Sequence, residues 1–347
     1  MAQVVFVVHG IGSDAGTRAT PASDWSADIA RTLRGAAGAY PGIDPKQLVI
    51  EPILYDDVFQ RHARNWQELA QALRGTPLER ATALLSTAAE GEFLWGSLGD
   101  VVQYRGLPMV RKNVHTAVAA KIAEAVAKHG IAHHYSVLAH SLGTAVAHDA
   151  ISALATRSVE GSTALHPPNF RFANFFTLAN VSRLVWATTG DFYAKSRVRP
   201  RDSGLADDAC PVDHYLDFRH VADPIPSIVR FAPRGWSSSH CQQKTVRHLN
   251  DLNVHGFVHY LQSPQVSDRI LARLFPAAMQ PDVFRARIAP TRDLIDPLAA
   301  AKAQVVASVE NLLDGLSAQA LGDLELDLGR MAEALWKSRD LLREVAS

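Results

Sequence analysis

The chain is predicted to be an α/β protein, with a mostly parallel sheet covered by helices. Two observations carry that prediction. Strand-like and helix-like stretches alternate along most of the chain, and the strand-like runs are too continuously apolar to leave one face in water. With 347 residues, 47% of them hydrophobic and 20% charged, the chain is long enough to bury the core such a sheet needs.

The elements follow in order. Residues 4–8, "VVFVV", are β-branched or aromatic throughout and close on His9-Gly10, the pattern of a strand buried on both faces. Residues 24–33 have helical spacing behind Ala22-Ser23, which offers a cap, and "QLVIEPILY" (47–55) reads as the next strand. From 56 to 105 the character changes: helix-like segments at 59–75 and 77–89 precede the apolar, glycine-punctuated "EGEFLWGSLGDVV". An Ala/Val-rich helix over 108–128 leads to the strand "HYSVLAH" (134–140), and a helix over 142–155 follows at once. "RFANFFTLA" (171–179) and "HYLDFRHV" (214–221) supply further strands, "TVRHLNDLNV" (245–254) is strand-like, and 264–275 reads as a helix. In the tail, Leu298, Val305, Val309, Leu312 and Leu316, then Leu324, Leu328, Met331, Leu335 and Leu342, recur at helical spacing on two segments broken near "DGLSAQALGD". That predicts an α/β domain over 1–290 and a helical hairpin over 291–347. The hairpin either folds onto the body of the chain or offers a heptad-like seam to a second copy or a protein partner.

Charge and composition exclude several classes. Lys plus Arg equals Asp plus Glu at 35 each, so no global field draws in nucleic acid or an anionic membrane. Two cysteines, Cys210 and Cys241, are too few for a disulfide framework, and "MAQVVFVVHG" lacks the basic start and apolar core of a signal peptide. No apolar run approaches the roughly 18 residues of a membrane span. A soluble, cytoplasmic protein is the expectation.

The chemistry begins at "YSVLAHSLGTAVAHDAI", where a strand runs into Ala139-His140-Ser141-Leu142-Gly143 and a helix starts. The segment resembles the nucleophile elbow of α/β-hydrolases, G-x-S-x-G, with Ala139 in place of the first glycine. A serine there stands at a helix N-terminus, where partial positive charge favours a developing oxyanion; the plainer role for such a serine is an N-cap. By the same resemblance "HGIG" after the first strand shapes an oxyanion hole, with donors from the backbone of Ile11 or Gly12 and from Leu142, and His9 is structural. "YLDFRHVADPIPSI" carries Asp223 before Pro224 and Pro226, similar to the D-x-[IV]-P pattern of lipases, whose carboxylate orients a histidine. Asp217 inside the strand is the competing carboxylate.

The histidine must come later in the chain, and "NVHGFVHYL" offers His255 and His259. His255 precedes a glycine that lets the chain turn and belongs to a loop, which suits the base; His259 falls on helical spacing with Phe257, Tyr260 and Leu261 and is the alternative base. The resemblance thus implies an α/β-hydrolase fold with few strands ahead of the first, a cap inserted at 56–105, and a serine esterase or lipase acting through Ser141, Asp223 and His255. It implies no cofactor and no metal, and a small-molecule ester or lipid as substrate, with thioesters and amides open to the same machinery. The apolar "FLWGSL" could line an acyl pocket, form a lid or be ordinary core, and "KSRVRPR" (Lys195, Arg197, Arg199, Arg201) is either a headgroup anchor or a solvated loop. Two other classes stay open: a scaffold working through the C-terminal helices, and a metallohydrolase using His214, His220, His240, Cys241, His248, His255 and His259. Gly256 stands where an H-E-x-x-H motif would have glutamate.

Overall fold

The computed structural model describes residues 2–10, 22–55, 58, 104, 108–156, 165–167, 169–185, 192–206, 209–223, 225–228, 230–248 and 254–289. Six strands, β1 (Gln3–Val8), β2 (Leu48–Pro52), β3 (His134–His140), β4 (Phe172–Leu178), β5 (Val212–His220) and β6 (Cys241–Val246), form one sheet in the order β2-β1-β3-β4-β5-β6. Every neighbouring pair is parallel. Parallel neighbours need crossovers, and helices α1 (Ala22–Ala37), α2 (Pro108–His129) and α3 (Leu142–Ala155) supply those between the first strands. Shorter helices follow: α4 (Ser182–Val185), α5 (Phe192–Lys195), α6 (Ile225–Ile228), α7 (Phe257–Gln262), α8 (Pro264–Leu274) and α9 (Pro281–Arg287).

The two-residue period of a strand explains the layers. Val4, Phe6, Val8, Val137 and Ala139 point to one face and join a core with Val114, Val118 and Ile122 of α2 and Ala147 and Ile151 of α3. Val5, Val7, Leu138, Phe176 and Phe218 point to the other, against Ile29 and Leu33 of α1, Phe257 and Leu261 of α7, and Val266 and Ile270 of α8. With every residue of Val4 to Val8 at 0% exposure, β1 is apolar on both sides because both sides are covered.

Chain order matters for function. β1 is flanked by β2 on one side and β3 on the other, so the winding reverses there and opens a crevice at the carboxyl ends of β1 and β3. The sixth strand departs from the expected 245–254: it runs over Cys241–Val246 and stops because the Arg247 N–H donates to Gln265 Oε1 (2.7 Å) instead of continuing the ladder. The expected cap at 56–105 lies outside the described residues except for Val58 and Tyr104, both buried, and the hairpin at 291–347 lies outside them entirely. No described helix is long and apolar enough to cross a membrane.

Candidate active site

The junction between β3 and α3 is held in an unusual shape. Ser141 has φ 52° and ψ −130°, whereas an ordinary N-cap is extended, and its side chain makes no capping hydrogen bond. The capping role is therefore not what fixes this serine. Neighbours impose the turn: the Ser141 N–H donates to Leu178 O (3.0 Å), and the Thr144 hydroxyl donates to Ser141 O (2.7 Å) while accepting from the Val181 N–H (3.0 Å). Two glycines make room. A Cβ on Gly143 would lie 2.3 Å from Val8 O and 2.9 Å from His9 C, so α3 can meet the end of β1 only with glycine there. A Cβ on Gly10 would lie 3.0 Å from Ser141 Cβ and 3.2 Å from Leu142 N, so glycine keeps the approach to both atoms open.

Freed from capping, the Ser141 hydroxyl meets a histidine. His255 Nε2 is 2.9 Å from Ser141 Oγ, and His255 Nδ1 is 2.8 Å from Asp223 Oδ2. An ionised carboxylate only accepts, so Nδ1 carries the proton and Nε2 is left to accept from the serine. All three side chains are buried. Asp223 is held in turn by the Ile225 N–H on Oδ1 (3.1 Å) and by the Tyr260 hydroxyl on Oδ2 (2.8 Å). Burial, then Asp223, keeps the Tyr260 phenol well above its ordinary range, so it stays a donor; its oxygen accepts from the His220 N–H (2.9 Å). His140 donates through Nε2 to the His255 carbonyl (2.6 Å), and burial, then His255 and His9, hold its ring well below the usual histidine range and neutral.

Each expected residue can now be placed. Ser141, Asp223 and His255 come together in one row, with Leu142 opening α3 beside Gly10; the amide of a first helical residue has no carbonyl within the helix to meet. Ile11 and Gly12 lie outside the described residues. His259 takes no part in the row: it sits on α7, edge-on to His220 with ring centroids 5.4 Å apart. His9 packs among Trp25, His140 and Phe257 with its Nδ1–H on the Gly10 carbonyl, as a structural residue would.

Asp217 is not the acid on His255. It lies inside β5, accepts from the Thr177 hydroxyl (2.8 Å), is pushed up to about 6 by burial, and borders a cavity of about 20 Å³ with Asn180, Arg219 and Gln243. In "KSRVRPR" two of the four cations are engaged within the fold: Arg199 donates to the Ser196 and Ser203 carbonyls and Arg201 pairs with Asp213 (2.7 Å), while Arg197 is exposed and the side chain of Lys195 lies outside what is described. Among the described residues no three His, Cys, Asp or Glu side chains gather as metal ligands. The histidines pair off instead, His214 stacking on His240 (4.8 Å) and His220 donating to the His248 carbonyl (3.0 Å), while burial pushes the Cys241 thiol up to about 12.

Sequence reasoning missed Tyr260, His140 and the clearing role of Gly10. An aromatic on an apolar helical stripe carries no mark that its hydroxyl reaches a carboxylate 37 residues away. No protein-family model and no curated protein matches the chain. Among solved structures it is similar to an uncharacterized protein from Pseudomonas aeruginosa at 12% sequence identity and a TM-score of 0.33. That match covers 100% of this chain and 60% of the other, so the chain spans less than two thirds of its length, and a likeness this weak says nothing of chemistry.

Proposed function

We propose that the protein is a serine hydrolase of α/β-hydrolase type that cleaves carboxylic esters through an acyl-enzyme on Ser141. The observation that carries this reading is the continuous pair of hydrogen bonds, Ser141 Oγ to His255 Nε2 at 2.9 Å and His255 Nδ1 to Asp223 Oδ2 at 2.8 Å. The order of the three residues in the chain, serine then acid then histidine, supports the same fold type.

In the proposed reaction His255 takes the Ser141 proton as Oγ attacks the acyl carbon, and Asp223 stabilises the imidazolium that forms. The Leu142 amide, with Ile11 or Gly12, holds the oxyanion. The C–O bond to the alcohol breaks as His255 returns its proton to the leaving oxygen. Water, deprotonated by the same histidine, then attacks the acyl carbon and releases the acid and Ser141. Apolar acyl esters, lipids among them, are the proposed substrates, and thioesters and amides present the same acyl carbon.

Hydrolysis of p-nitrophenyl esters of graded chain length tests this. Wild type should turn them over and Ser141→Ala should lose several orders of magnitude in kcat. Equal activity in the variant would overturn the assignment, and the chain-length profile reports the acyl pocket.

A further inference from the structure

On the sheet face away from α3, helix α8 and edge strand β6 enclose a groove of about 300 Å³. Its walls carry Lys244 and Gln242 from β6 and Arg269 and Arg273 from α8, over an apolar floor of Leu216 and Phe284. Three cations thus share one groove. Arg269 and Arg273 are one helical turn apart, a spacing at which like charges destabilise.

Other buried or half-buried cations of the fold have a carboxylate partner: Arg111 pairs with Asp149 (2.9 Å), Arg201 with Asp213 (2.7 Å) and Arg287 with Asp268 (2.6 Å). In the groove none of the three has an ion-pair partner among the described residues. The acid next in sequence, Asp268, is already held by Arg287 and the Tyr40 hydroxyl (2.8 Å). Arg269 Nε is buried without a hydrogen-bond partner among the described residues, a cost that a bound anion would remove. The strain reaches its surroundings: burial, then Arg269 and Arg273, lower Lys244, and burial, then Arg273, hold His214 near a pKa of about 4.

We propose that this groove is a binding site for a phosphate group, free or as the head of a monoester. Two arginine forks and a lysine point charge match a tetrahedral oxyanion, Gln242 adds a neutral donor, and the volume is at the lower end of that of small-ligand pockets. The site is distinct from the Ser141 row: Gln242 and Lys244 pair with Leu216 and Phe218 in mid-strand, whereas the row lies beyond the strand ends.

Titration calorimetry of the full chain with inorganic phosphate at constant ionic strength tests the site, in wild type, Arg269→Gln and Lys244→Gln. A second arm sediments the same proteins with phosphatidylcholine vesicles with and without phosphatidic acid. Saturable phosphate binding, weakened roughly tenfold or more by removing one charge-assisted hydrogen bond, supports the proposal. Vesicle binding that needs phosphatidic acid and is lost in the same variants supports it and assigns the phosphate to a lipid headgroup. Absence of saturable binding in both arms, or binding unchanged in folded Lys244→Gln, overturns it. Neither arm reads hydrolysis, so the result stands apart from the role of Ser141.

Discussion

At Ser141 the backbone holds a sparsely populated conformation that costs a non-glycine residue roughly 1–3 kcal/mol, and hydrogen bonds to Leu178 and Thr144 keep it there. The strain turns the hydroxyl away from its helix and toward His255. His255 and His259, four apart in sequence, should then differ sharply. Ester turnover should fall by several orders of magnitude in His255→Ala and by far less in His259→Ala; the opposite ranking would move the base to His259. Asp217 allows a test by pH. Its pKa is raised from 3.8 to about 6, so its contribution to stability is fully present below the unfolded value and is lost as pH rises through the folded one. The loss is roughly 3 kcal/mol. Asp217→Asn stays neutral, so melting curves should show the variant gaining on wild type between about pH 4 and about pH 7. A difference that does not change with pH would mean that Asp217 is not raised. At this scale Ser141, Asp223 and His255 were legible because each follows a strand and carries its own local pattern. Tyr260 was not, because its hydrogen bond is made across space by a residue whose neighbours all read as core.

Among the elements, β1 and α3 depend on each other through a single missing side chain. A methyl group at Gly143 would sit 2.3 Å from Val8 O and against the backbone of His9, which cannot swing aside as a flexible side chain would. Gly143→Ala should therefore force α3 off the end of β1, lowering stability by about 1–3 kcal/mol and disturbing Ser141 with it. Thermal melting and ester turnover should fall together; an unchanged melting point would contradict the tight contact. The buried strands were readable as unbroken apolar runs, and β1, β3 and α3 lie where the sequence put them. β6 was misplaced for a physical reason. As an edge strand it carries Gln242, Gln243 and Lys244, so its composition resembles a loop while the segment after it resembles a strand.

For the whole molecule, a balance of 35 basic and 35 acidic residues argues against a global field, yet it conceals three cations gathered beside β6 with no ion-pair partner among the described residues. Net charge sums over the surface, and only the fold reveals which charges meet. The winding reversal at β1 is likewise visible only in the fold: alternation of strands and helices implies a parallel sheet but not its strand order, and the reversal places the carboxyl ends of β1 and β3, and so Gly10 and Ser141, at one crevice. The proposed acyl-enzyme requires Ser141 to be an activated nucleophile at that crevice. Its most direct test is labelling of the folded protein with a fluorophosphonate probe, with the modified peptide located by mass spectrometry. Stoichiometric labelling on Ser141 alone is expected, abolished in Ser141→Ala and strongly slowed in His255→Ala. An unlabelled Ser141 in the folded protein, or equal labelling without His255, would contradict it.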